Sequence, residues 1–139
     1  MSDNEIEDNS GEILEGPEKI KVMIESLKSS QLFVRVSGTE QLTLEGIENQ
    51  ELALPIMLEE IKIPDWWTVR FGVIEAIQEI SLRGSSIDEK YIEEIQLYLT
   101  DEDEDFRAKV ADCLGDLKSK TPVPKLILAL DDKHEETRN

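Results

Sequence analysis

"WTVRFGVIEAI" (67–77) decides the fold, because its pattern occurs three times: again as "LFVRVSGTEQL" (32–42) and as "EDFRAKVADCL" (104–114). In each stretch an apolar residue precedes an arginine: Val69 before Arg70, Val34 before Arg35, Phe106 before Arg107. Seven residues after the arginine stands another apolar side chain, namely Ile77, Leu42 or Leu114. A fourth arginine, Arg138 in "EETRN", extends the series, with Thr137 in the apolar place. The separations are 35, 37 and 31 residues, which is the sequence signature of stacked supersecondary units rather than of one irregular core.

Outward from the anchors the pattern is helical. Ile20, Met23, Ile24 and Leu27 share one face, as do Val69, Val73, Ile74, Ile77 and Ile80, and Phe106, Val110, Ala111, Leu114 and Leu117. Apolar positions three and four apart predict amphipathic helices, and no stretch shows sustained β alternation. A further helix is expected before each arginine, over about 17–28, 52–62, 89–99 and 123–130, so each unit is a helical hairpin. Breaks fall at "KSSQ", "GIENQ", "IPD", "RGSS", "TDEDED", "KSKTPVP" and "DDKH". The expected units are therefore about 17–50, 51–87 and 88–120, with a half-unit over 121–139.

A chain of 139 residues can bury a core without disulfide staples. Aromatic residues make up only 5% of it, which suits a helical protein better than a β-sandwich. No apolar run reaches 18 residues, and "MSDNEIEDNSGEILEG" lacks the basic and apolar regions of a secretory signal. One cysteine, Cys113, permits no internal disulfide and fits a reducing compartment. A cytoplasmic protein is the expectation. Residues 1–16 hold six acidic residues and no basic one, and are expected to form a disordered acidic tail. Pro17 then suits the first position of a helix.

The formal net charge of −17 repels a phosphate backbone and an anionic lipid surface. Neither nucleic acid nor membrane is an expected partner. A charged partner would be a protein with a basic surface or peptide, and charge alone also keeps a chain soluble.

The unit "apolar helix, D-x5-R, apolar helix" resembles a HEAT repeat, in which an Asp precedes the Arg by six residues at the inter-helix turn. Asp101 with Arg107, and Asp132 with Arg138, keep that spacing. "FRAKVADCLGDLKSKTPVPKLILALDD" (106–132) is similar to the HEAT-like repeats named after phycobilisome lyases, through Leu114, Gly115, Leu117, Val123, Pro124, Leu126, Leu130 and Asp131. The first and second units depart from it, with Ser29 and Pro64 in the Asp column and Asp65 one place late. Tetratricopeptide and ankyrin signatures are absent. The resemblance implies an all-α, right-handed α-solenoid of HEAT-like hairpins over residues 17–139. It also implies that Asp101 and Arg107 tie the turns of adjacent repeats together. Function divides at this point. A non-catalytic scaffold or adaptor is one expectation, and a phycobilin lyase-like or tetrapyrrole-handling subunit is the alternative the resemblance brings. A HEAT-like alkylpurine glycosylase would line its groove with basic residues, which this chain lacks.

No enzyme chemistry is legible. His134 and Cys113 are each unique, so no metal set or nucleophile–base group assembles, and the glycines form no phosphate loop. "DEDED" (101–105) does not fit a calcium loop, because its sixth and twelfth places hold Phe106 and Asp112. It reads instead as an acid-rich turn that caps the next helix. Cys113 shares a column with Gln41 and Ala76 and reads as small core filler. No cofactor is expected.

Two features point to a partner. Five residues after the anchors lie Glu40, Glu75 and Asp112, and nine after them lie Leu44, Glu79 and Asp116. In HEAT solenoids the second helix of each unit generally lines the concave surface, so Glu40, Glu75, Glu79, Asp112 and Asp116 are expected to form an acidic strip for a basic helix or tail, or else an ordinary solvated face. Trp66 and Trp67 occupy columns that elsewhere hold Gln31/Leu32, Asp103/Glu104 and His134/Glu135. At least one indole is thus expected near the surface of the turn, where tryptophan makes an interface anchor, unless both rings pack against neighbouring turns. Asp65 is expected to cap the helix that follows.

Overall fold

A computed structural model describes residues 5–117. Within them the protein is helical: α1 (Gly16–Ser26), α2 (Leu32–Glu48), α3 (Gln50–Glu60), α4 (Trp67–Leu82), α5 (Glu89–Gln96) and α6 (Glu104–Asp116), with a 3₁₀ turn at Leu97–Thr100 between the last two. The expected helix over 123–130, the half-unit, Arg138, Asp132 and His134 lie outside the described residues. The helices follow the order read from the arginine spacing, and α1 with α2, like α5 with α6, pack as helical pairs. The chain divides into two compact units, residues 1–76 and 77–139, with the boundary inside α4.

Residues 6–14, assigned by composition to a disordered tail, form a small antiparallel hairpin. Its strands are β1 (Ile6–Glu7) and β2 (Ile13–Leu14), with Ile6 opposite Leu14. Local polar bonds, rather than buried apolar area, hold it. The Asp8 carboxylate accepts from the backbone N–H of Ser10 at 2.8 Å, the Ser10 hydroxyl at 2.7 Å and the N–H of Glu12 at 3.0 Å. This Asx turn is closed by Gly11 at φ 89°, a left-handed conformation that glycine adopts freely.

In the first unit α1, α2 and α3 pack on one another. Ile20, Met23, Ile24 and Leu27 in and just after α1 join Leu42 of α2 and Ala53, Leu54, Met57, Leu58 and Ile61 in and after α3, all fully or almost fully buried. The α2 face turned inward is unusually small and polar: Gly38, Thr43, Glu45 and Gly46 are buried there. The reason is close approach. A Cβ at Gly38 would collide with the Oγ of Ser26 and lie 3.2 Å from the Met23 carbonyl. The Thr43 hydroxyl donates to the Thr39 carbonyl at 2.8 Å, which satisfies it without a partner from another helix. Glu45 is neutralised by Lys19 at 3.0 Å, with both side chains largely shielded.

In the second unit the 3₁₀ turn and α6 pack on α5. Tyr91, Ile92, Ile95 and Leu99 bury against Phe106, Val110, Cys113, Leu114 and Leu117, with Ile77 and Ile80 at the end of α4 also buried. Leu42, Ile77 and Leu114, the apolar column seven residues after the arginines, are all buried, as are Ala76 and Cys113.

Helix ends follow local chemistry. Asn49 caps α3 by accepting from Leu52 N–H at 3.3 Å, and Asp88 caps α5 by accepting from Lys90 N–H at 3.1 Å. The end of α4 is a Schellman motif: Ser85 N–H donates to Ile80 C=O and Gly84 N–H to Ser81 C=O, with Gly84 at φ 100°. The acidic turn acts as a cap. The Asp103 carboxylate accepts from the N–H groups of Asp105 and Phe106 at 2.9 and 3.2 Å, and Glu104 and Asp105 occupy the positive first turn of α6.

Candidate partner-binding site

The repeated arginines build the turns that carry the candidate site. The Arg35 Nη1 donates to the Ser29 carbonyl at 2.7 Å, and the Arg107 Nη1 donates to the Asp101 carbonyl at 2.8 Å. Both acceptors lie six residues back, at the end of the same inter-helix turn. Arg70 is buried and donates from Nε to the Ile61 carbonyl at 2.9 Å, nine residues back. The Arg35 and Arg107 bonds close the turns before α2 and α6. The acceptor is a backbone carbonyl, so Ser29 serves as well as Asp101. In the second unit the acceptor moves back to Ile61 and the column residue is Pro64.

Arg70 fixes the start of α4, and with it the tryptophans. The Trp66 carbonyl accepts from Val69 and Arg70 N–H at 3.1 Å, so Trp66 rather than Asp65 is the residue before the helix. Val69 and Arg70 point inward, which turns the indoles out: Trp66 is 47% and Trp67 62% exposed. The ammonium of Lys28, in the α1–α2 turn, stands 5.4 Å from the Trp66 ring centroid. That contact brings the turn before α2 beside the turn before α4. The Trp67 ring meets Phe71 edge-on at 5.7 Å between centroids.

The outward face of α4 thus reads Trp67, Phe71, Glu75, each four residues after the last. At the equivalent positions of α2 stand Leu32, Val36 and Glu40, with Leu32 65% and Val36 58% exposed, and Phe33 beside them is exposed too. Both helices begin apolar on their outer face and turn acidic about two turns later. Leu32, Phe33, Val36 and Phe71 were not singled out from the sequence. For Leu32, Val36 and Phe71 the signal was the shared column: the residues three before and one after each of the first two arginines are apolar, in a place where the helix faces away from its core.

The five acidic residues of the expected strip separate into two groups. In the first unit Glu40 and Glu75 are exposed. In the second, Glu79 accepts from Arg83 Nε at 3.2 Å. Asp112 and Asp116 converge on the Gln78 amide, whose Nε2 donates to their Oδ2 atoms at 2.9 and 2.5 Å. The same Gln78 accepts from Lys109 at 3.3 Å, and the Ser81 hydroxyl donates to the Asp116 carbonyl at 2.8 Å. Asp112 and Asp116 therefore have an internal structural task. Among the described residues no group of three or more His, Cys, Asp or Glu side chains is placed to hold a metal ion. No helix there is long and apolar enough to cross a membrane.

Comparison with protein families, with curated proteins and with solved structures returns no match.

Proposed function

We propose that the chain is a HEAT-like α-solenoid that serves as a non-catalytic adaptor, binding another protein through the tryptophan pair and the acidic outer face of its second helices. The observation that carries this reading is the exposure of Trp66 and Trp67 side by side at a turn that Arg70 holds rigidly. An ordered element that leaves two indoles in water has the composition and rigidity of an interface anchor. The solenoid part rests on the recurring arginine, which clamps a backbone carbonyl six residues back at Arg35 and Arg107 and nine back at Arg70. Cys113 is buried and is the single cysteine of the chain, which supports work in the reducing cytoplasm.

Affinity capture from the source cell, with the full chain as bait and mass spectrometry as readout, tests the reading. A specific protein should be captured by the native chain and lost with Trp66→Ala/Trp67→Ala. Identical capture by both would remove the tryptophans from the function.

A further inference from the structure

The Trp66 ring already carries a cation of the chain's own. The Lys28 ammonium stands 5.4 Å from its centroid and keeps an ion pair to the Glu25 carboxylate at 3.2 Å. The negative face of an indole attracts a cation more strongly than any other aromatic side chain. Trp66 still leaves about half of its surface in water, and Trp67 stays more exposed than that beside its edge-on contact with Phe71. Exposed carboxylates stand close by: Asp65 directly precedes Trp66, and Glu25 is held to Lys28.

These features select the occupant. A cation is what the exposed ring takes in the structure, and a net charge of −17 steers a basic segment toward the chain. The same charge repels a second copy, nucleic acid and anionic lipid. Among cations a guanidinium fits better than an ammonium. It is planar and weakly hydrated, so it stacks on an aromatic face while its N–H groups reach a carboxylate.

Resting on the adaptor reading, we propose that Trp66 and Trp67 recognise arginine side chains of a basic partner segment through their indole faces, and that Lys28 occupies the Trp66 face until a guanidinium displaces it. Lys28 yields the ring at little cost, because its surface pair with Glu25 does not depend on the indole. Asp65 supplies a carboxylate for the incoming N–H groups. The internal cation also makes the site selective. A partner lysine exchanges one ammonium for another and gains little, whereas an arginine gains the stacked plane, so arginine is preferred at equal charge.

The test titrates the full chain with one short labelled peptide in arginine, lysine and citrulline forms, read by fluorescence anisotropy. The arginine form should bind about threefold more tightly than the lysine form, and the neutral citrulline form most weakly. Trp66→Leu/Trp67→Leu leaves the net charge unchanged. It should weaken the arginine form about tenfold and bring arginine and lysine to equal affinity, with unchanged circular dichroism because both residues are exposed. The milder Trp66→Phe/Trp67→Phe should lose part of the arginine preference. Lys28→Gln should tighten arginine binding more than Lys21→Gln, which removes the same charge from an exposed position of α1.

Equal affinity of the native chain for the arginine and lysine forms would overturn the proposal, as would an arginine preference that survives Trp66→Leu/Trp67→Leu. Citrulline binding as tight as arginine binding would show an apolar contact instead, and equal gains from Lys28→Gln and Lys21→Gln would overturn the displacement of Lys28. A concentration-dependent dimer that buries the indoles would assign them to a second copy and overturn it as well. Capture separates this proposal from the adaptor reading. Capture that needs the tryptophans, without arginine preference in the peptide arms, removes the arginine site and leaves the adaptor; capture indifferent to the tryptophans overturns both.

Discussion

Arg35 holds the Ser29 carbonyl at 2.7 Å across the α1–α2 turn, and Arg107 repeats the bond to Asp101 at 2.8 Å in the α5–α6 turn. A charged donor on a half-buried carbonyl contributes about 1.5–3 kcal/mol. Arg35→Ala should lower the stability of the chain by that amount in urea unfolding. Arg35→Lys should recover only part of it, because a flexible ammonium replaces a planar fork. Ser29→Ala should cost well under half as much, since it removes only the Oγ that accepts from Gln31 N–H and leaves the carbonyl in place. An equal loss for Ser29→Ala and Arg35→Ala would show that the clamp grips a side chain after all.

How far the sequence reaches is visible in these residues. The arginine, the preceding apolar residue and the apolar residue seven later recur at helical spacing, so the helices and many of their buried positions were legible. Glu79, Asp112 and Asp116 fell in an outward column, but periodicity does not register Arg83 or Gln78, whose side chains reach those carboxylates from their own helix or from one distant in sequence. Leu32 and Val36 were hidden by a general habit, since apolar residues at helical spacing are read as core. In α2 the close approach at Gly38 bends that rule: Leu42 is buried, but small and polar residues fill most of the inner face, while Leu32 and Val36 are left outside. The hairpin before α1 was hidden by composition, because an acidic stretch carries no apolar pattern although Asp8 organises it through three hydrogen bonds.

Two helical glycines should respond in opposite directions to the same substitution. Gly115 in α6 has open space where a Cβ would go, so Gly115→Ala should stabilise the protein by about 0.5–1 kcal/mol through helix propensity. Gly38 has Ser26 and the Met23 carbonyl there, so Gly38→Ala should destabilise it by about 1–3 kcal/mol despite the same propensity gain. Adding Ser26→Gly to Gly38→Ala should return part of the loss by removing the colliding hydroxymethyl group. Thermal melts of the three variants decide the matter, and stabilisation by Gly38→Ala would mean that α1 and α2 do not approach so closely.

At Asp8 a change of pH should act on a defined element. The hydroxyl of Ser10, then the N–H groups of Glu12 and Ser10, bond the carboxylate and hold its pKa below the ordinary aspartate value. A lowered folded pKa means that the hairpin is favoured above the ordinary value and loses that support as pH falls through the lowered one. Carboxyl chemical shifts should show Asp8 titrating at lower pH than a model aspartate, with amide protection at Ser10 and Glu12 disappearing over the same range. Asp8→Ala should abolish both signals without altering the helical circular dichroism. Titration of Asp8 at or above the ordinary value would contradict the hairpin.

Gln78 sets two carboxylates against one amide, and its replacement by an isosteric acid should be costly in a pH-dependent way. It is buried, and its Nε2 is the donor shared by Asp112 and Asp116 while Lys109 donates to its Oε1. Gln78→Glu removes the donor and adds a third negative charge, which should destabilise the protein by about 2–3 kcal/mol at neutral pH. Burial and like charge raise the folded pKa of the introduced carboxyl, so the penalty is absent where that group is protonated in both states and grows as pH rises through its ordinary value. The gap to the native chain should therefore shrink from neutral pH to about pH 4 in paired urea unfolding curves, where a shared proton restores a donor. Gln78→Leu, which cannot titrate, should instead lose stability by a nearly constant amount across that range. A pH-independent gap for Gln78→Glu would show that Asp112 and Asp116 do not converge on this side chain, and would return both aspartates to the solvated surface.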